Sequence, residues 1–183
     1  MAVENSDVMA GTRGLNRLDR NLFLDAFVRL GMMRINCVAD IGCGTGPFVE
    51  VMVERRQRPE VYWGVDQDMD KIETARGLYP DWSFAYGDFF TGRVKNELVK
   101  FDAYLLVRVL EHVEDDLGLL AGLESGRPVV LAVAGFEAPG QVRWFQDQHS
   151  VRERYFSLLD VKTVGQYRRP TGEIWYTASG VRW

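Results

Sequence analysis

Three glycines, Gly42, Gly44 and Gly46, fall within five positions of the stretch VADIGCGTGPF (residues 38–48), directly behind a short apolar run. Glycine gives up chain entropy and packs nothing, so such a cluster points to backbone that turns tightly and lies close to a ligand. Asp40 stands just ahead of the cluster, Asp66 follows Gly46 by twenty residues, and Asp88 precedes Phe89 and Phe90 in AYGDFF. A carboxylate at Asp40 repels a pyrophosphate and suits a cationic ligand. An acid at the place of Asp66 can accept both hydroxyls of a ribose. The two phenylalanines can cover a purine. The loop is not a dinucleotide G-x-G-x-x-G, since Pro47 stands where the third glycine belongs, and the Gly-Lys-Ser/Thr of a phosphate loop is absent. Each feature alone has a plain reading, as a tight turn or a helix cap. In this order they describe a site for an adenosine that carries a positive charge and no phosphate.

Candidate general bases are few, because the chain has two histidines. His112 lies in LEHVED, on the expected rim of the same crevice, and a structural role is its competing reading. His149 lies in FQDQHSVRERYF, among Trp144, Phe145, Arg152 and Tyr155, neighbours that suit an aromatic or anionic acceptor. Surface or capping duty competes there.

Alternating apolar runs and helical stretches must position these groups. Residues 18–31 place Leu18, Leu22, Phe23, Ala26, Phe27 and Leu30 on one helical face. Strands are expected at 35–41, 60–66, 82–86, 101–107 and 127–135, with helices at 47–57, 69–79 and near 114–122. Strands alternating with helices imply βαβ units and a mainly parallel sheet covered on both faces. The tail breaks the rhythm: residues 158–168 and 173–183 read as an antiparallel pair around Pro170, Thr171 and Gly172. One domain over 15–183 behind a flexible arm, 1–14, is the expected organisation.

Composition narrows the class. The chain has 183 residues, 46% hydrophobic and 26% charged, with a net charge of −4, which gives no general attraction to nucleic acid or an anionic membrane. Cys37 and Cys43 form no CxxC pair and read as reduced core thiols. No signal peptide or membrane span is visible, so a soluble cytoplasmic protein is expected.

ADIGCGTG, GVDQD, YGDFF and LVRVLEHVEDD together resemble, in order, the signature of class I S-adenosylmethionine-dependent methyltransferases, over about residues 36–135. The resemblance implies a Rossmann-like α/β three-layer sandwich with a seven-stranded sheet, mainly parallel, ending in an antiparallel C-terminal hairpin. It also implies that Asp40, Gly42, Cys43, Gly44 and Gly46 line the methionine and ribose part of the cofactor. Asp66 would hold the ribose hydroxyls and Gln67 would lie beside the adenine. Asp88 and Phe89 would meet its edge and face, and Val107 and Arg108 would lie near the methionine moiety.

The implied function is methyl transfer from S-adenosyl-L-methionine to an oxygen or nitrogen of a small-molecule acceptor, without a metal. His112 and His149 are then the candidate bases. Two alternatives stay open. One is methylation of RNA or protein, supported by Arg152, Arg154, Arg168 and Arg169; the other is a silent methyltransferase-like binding subunit. Glu111, His112 and His149 also resemble part of the metal site of small-RNA 3′-terminal 2′-O-methyltransferases, but Arg108 replaces a ligand there and would repel the cation. Arg108 is a departure from the family pattern. It either contacts an anionic acceptor or pairs with Asp115 or Asp116.

Overall fold

The apolar runs become the strands of a single sheet. The computed structural model describes residues 17–32, 35–169 and 171–183, so the expected arm at 1–14 lies outside the described residues. In chain order the elements are α1 (Arg17–Met32), β1 (Cys37–Ile41), α2 (Pro47–Arg55), β2 (Val61–Asp66), α3 (Met69–Leu78), β3 (Ser83–Tyr86), α4 (Gly92–Leu98) and β4 (Ala103–Val107). A 3-10 turn (Leu110–His112), α5 (Asp116–Ala121), β5 (Pro128–Ala134), α6 (Gln148–Tyr155), β6 (Leu159–Arg168) and β7 (Ile174–Arg182) follow.

The strand order is β3-β2-β1-β4-β5-β7-β6. The first five strands run parallel, whereas β7 inserts antiparallel between β5 and β6. This is the Rossmann-like sheet with a terminal hairpin. β4 is buried along its whole length, as a central parallel strand with helices on both faces must be. Alternation along the strands divides the core. Val38, Leu105 and Val107 pack toward α1, α2 and α3; Ala39, Tyr104 and Leu106 pack toward α4, α5 and α6. On α1, Leu22, Phe23, Ala26 and Leu30 are buried and Phe27 is half-buried, while the side chain of Leu18 lies outside the described residues.

Three elements differ from the sequence expectation, one of them α6, which was not expected as an element. The helix expected near 114–122 starts later, and the 3-10 turn at Leu110–His112 precedes it. α4 was not expected at all, because only Val94 and Leu98 of its seven residues are buried, too few to set a helical period. Cys43 is buried and Cys37 half-buried, both as free thiols. Among the described residues no helix is long and apolar enough to cross a membrane.

Candidate functional site

The sheet order reverses at β1, whose neighbours β2 and β4 lead to opposite edges, and ligands bind beyond the strand ends at such a point. A crevice of about 570 Å³ opens there, within the range that holds a drug-sized ligand. One wall is backbone. Gly42, Gly44 and Gly46 take φ of 71°, 55° and 87°, left-handed values that other residues adopt at a cost. A side chain on Gly42 would strike Val109 at 2.4 Å, whereas nothing lies within 4 Å of the place where one on Gly44 would begin. The loop is tied to β2: the amides of Gly42 and Cys43 donate to the Val65 carbonyl at 2.8 and 3.1 Å.

Asp66 completes that wall. Its Oδ2 accepts the Gly44 amide and its Oδ1 the Asp68 amide, both at 2.9 Å. A carboxylate has about four lone-pair sites, so two remain for ribose hydroxyls. Gln67, Lys71 and Phe89 continue the lining. The open space at Gly44, the spare capacity of Asp66 and the buried ring of Phe89 fit a nucleoside without phosphate. This half of the crevice is suited to S-adenosylmethionine.

Asp40 sits below this wall and does not line it. It is 2% exposed and accepts a hydrogen bond from the Tyr62 hydroxyl at 2.7 Å. Burial pushes its carboxyl up to about 7; the Tyr62 bond pulls it down and the charge of Asp66 adds to the rise. Cys43 is buried alongside, and its thiol is pushed up by that burial and by the charges of Asp40 and Asp66. The alternation of β1 is the cause for Asp40, because its side chain leaves the strand on the side of Val38, toward Tyr62.

The opposite wall is made by side chains. Val107 ends β4, and Arg108 follows with φ of 63° while its amide donates to the Ala132 carbonyl at 3.0 Å. Val109, His112, Val113 and, from α1, Phe23 complete it. His112 Nδ1 lies 2.8 Å from the Gly140 carbonyl. A carbonyl only accepts, so Nδ1 carries the hydrogen and Nε2 of the neutral ring is left as the acceptor.

Behind this wall Arg143 holds the turn. Its guanidinium donates to the carbonyls of Leu110 and Val113, and to that of Glu114 at 2.7 Å. Asp116, fully buried, receives Arg154 through two bonds at 2.8 and 2.6 Å and the Tyr155 hydroxyl at 3.0 Å. Asp115 caps α5 by accepting the Gly118 amide.

Of the residues singled out in the sequence, Gly42, Gly44, Asp66, Gln67, Phe89, Val107, Arg108 and His112 line the crevice. Gly46 is instead the N-cap of α2. Asp88 is exposed and accepts the Phe90 amide at 2.9 Å. His149 lies outside the lining, with a side chain 75% exposed and paired to Glu153 at 3.0 Å one turn along α6. Among the described residues, no group of three or more His, Cys, Asp or Glu is placed to hold a metal. Sequence reasoning missed Phe23, Thr45, Pro47, Lys71, Val109 and Val113 as lining residues. Phe23 carries no sequence signal for the site, since it reads as one more core position of α1.

A family model described as a methyltransferase domain matches residues 38–123. No curated protein sequence matches the chain. Among solved structures, the N-methyltransferase NodS of Bradyrhizobium japonicum WM9, in complex with S-adenosyl-L-homocysteine, has a TM-score of 0.68 at 20% identity, covering 91% of this chain and 88% of that one. Magnesium protoporphyrin IX methyltransferase (ChlM) of Synechocystis PCC 6803, also with S-adenosylhomocysteine bound, has a TM-score of 0.68 at 15% identity over 96% of this chain and 92% of its own. The [4+2]-cyclase SpnF has a TM-score of 0.71 at 11% identity, over 89% and 81%. At these identities the likeness is one of fold, and one fold carries more than one chemistry. The domain match covers residues 38–123, and the chain shares the Rossmann-like fold of NodS and ChlM.

Proposed function

We propose that this methyltransferase moves the methyl group of S-adenosylmethionine to an oxygen or nitrogen of a small-molecule acceptor held between the glycine loop and the Val107–Val113 wall. The observation that carries the reading is the two-sided crevice, with a nucleoside-shaped backbone wall facing an apolar wall that holds one imidazole. Bound in the first half, the cofactor supplies an activated methyl. The chain's own task is then to hold the acceptor in line, and orientation of this kind is worth about 7–11 kcal/mol. His112 Nε2 is the atom that takes a proton from the acceptor.

A compact acceptor suits a crevice of about 570 Å³ that also holds the cofactor. NodS is named an N-methyltransferase and ChlM a magnesium protoporphyrin IX methyltransferase, which supports the same class. The arginines that suggested a macromolecular acceptor are engaged within the molecule. Arg154 binds Asp116, Arg152 donates to the Val161 carbonyl, Arg168 to that of Gly172, and Arg169 pairs with Glu173.

The test is a calorimetric titration of wild type and Asp66→Ala with S-adenosylmethionine and S-adenosylhomocysteine. The variant should bind both at least tenfold more weakly, about 1.4 kcal/mol. Equal affinity in the two proteins would remove the ribose anchor and the reading built on it.

A further inference from the structure

The wall opposite the glycine loop hangs on a weak element. The 3-10 turn Leu110–His112 is three residues long, and hydrogen-bond geometry in such turns is poor. Bonds from the segment 138–143, between β5 and α6, brace it from outside. The Val142 amide donates to the Glu111 carbonyl at 2.8 Å, and the Gly140 carbonyl lies 2.8 Å from His112 Nδ1. That segment is itself folded back. The Gln141 amide donates to the Ala138 carbonyl at 3.2 Å, and its side chain accepts the Ala138 amide at 3.1 Å. Gly140, between them, takes φ of 79°.

Arg143 joins the two pieces. It stands three residues after the carbonyl that meets His112, and its guanidinium donates to the carbonyls of Leu110, Val113 and Glu114, on both sides of His112. A planar fork with five N–H groups in fixed directions is suited to binding three carbonyls at once; one ammonium on a flexible stem is not. The fork is held in turn. Asp116 lies 3.4 Å from Nη1, and the same buried carboxylate receives Arg154 and the Tyr155 hydroxyl from α6. The bonds to Leu110 and Val113 are partly shielded from water, and a charged donor makes the stronger kind of hydrogen bond.

A base needs two things from its surroundings, a place and a tautomer. Neutral His112 can accept a proton at Nε2 only while Nδ1 carries the hydrogen, the form that the Gly140 carbonyl favours. If the segment loosened from the turn, the two tautomers would compete.

We propose that Arg143 is a positioning residue for methyl transfer: by tying the His112 turn to the Gly140 segment it keeps the imidazole in the Nδ1–H form, with Nε2 left to accept. Its part in the reaction rests on the reading of His112 as the base, while the tautomer rests on the geometry alone.

The experiment is nitrogen NMR of the imidazole rings at alkaline pH, without acceptor or cofactor. The chain has two histidines, so His149→Ala assigns the signals. Wild-type His112 should be mainly the Nδ1–H tautomer. Arg143→Gln should lower the ratio of Nδ1–H to Nε2–H about fivefold, the weight of one ordinary hydrogen bond, and Arg143→Lys should lower it by less. His149 should not change in either variant, and both should keep the calorimetric affinity for S-adenosylhomocysteine. If Arg143→Gln does not fold, Arg143→Lys decides by the same ratio. A wild-type ring in the Nε2–H form, or folded variants with the wild-type ratio, would overturn the proposal. So would a shifted ratio accompanied by loss of S-adenosylhomocysteine affinity, which marks a merely structural role. Failure of wild type to bind S-adenosylhomocysteine would instead sink the methyltransferase reading, and the ring spectra would still decide the positioning.

Discussion

The two walls of the crevice are made of different material. The glycine-loop wall is backbone: left-handed Gly42 and Gly44, amides that donate to Val65 and Asp66, and a carboxylate fixed by the loop it supports. The opposite wall is side chains, brought from α1, the end of β4 and the turn after it, and supported from behind by Arg143. A backbone wall tolerates little change, because its shape is its function. A side-chain wall can be rewritten residue by residue without disturbing the sheet, which is why acceptor identity can vary on a constant cofactor site.

The glycine loop offers the strongest way to break this contrast. Gly42→Ala forces a methyl group to within 2.4 Å of Val109, at a left-handed φ. It should cost about 3 kcal/mol in denaturant unfolding, from overpacking and backbone strain together. Gly44→Ala meets open space and should cost about 1 kcal/mol, the backbone part alone. Equal costs would mean that Val109 yields, and that the two walls are less tightly coupled than the contact implies.

The two histidines sharpen the comparison on the other wall. His112→Ala should lower turnover on a hydroxyl acceptor by about 100-fold while S-adenosylhomocysteine still binds, since a positioned base supplies that much. His149→Ala should leave turnover unchanged, because that ring lies outside the crevice against Glu153. The reverse pattern would move the chemistry to α6.

A smaller effect separates the walls by pH. Each has behind it a carboxyl that burial pushes up to about 7, Asp40 under the loop and Glu111 behind the turn. In the unfolded chain such groups ionise near pH 4. The native state thus holds more protons across pH 4 to 7, and its stability falls as pH rises through that window. Asp40→Asn and Glu111→Gln should each flatten the decline in Tm over that range. Asp40→Asn keeps an acceptor for Tyr62, whereas neither oxygen of Glu111 has a hydrogen-bond partner among the described residues. Glu111→Gln should therefore give the smaller gain at neutral pH, because the new amide donors also enter a site without partners.

The glycine-loop wall was legible in the sequence because its bonds are short-range in the βα units. Gly44 and Asp66 are neighbours as soon as β1 and β2 pair in parallel, and the glycine spacing itself encodes the left-handed turns. The terminal hairpin was legible for a similar reason, as two apolar runs close in sequence. α4 was not, since two buried residues do not make a pattern.

The sequence by itself determined the alternation of strands and helices, the glycine loop and the acid that ends β2, all set by local spacing and backbone chemistry. Only the tertiary structure decided which face Asp40 takes, that Asp116 belongs to Arg154, and that Arg108 lies on Trp175, sixty-seven residues away. No spacing rule links those positions. They meet because β7 inserts beside β5, and the register of that pairing carries Trp175 to the end of the sheet where the crevice lies.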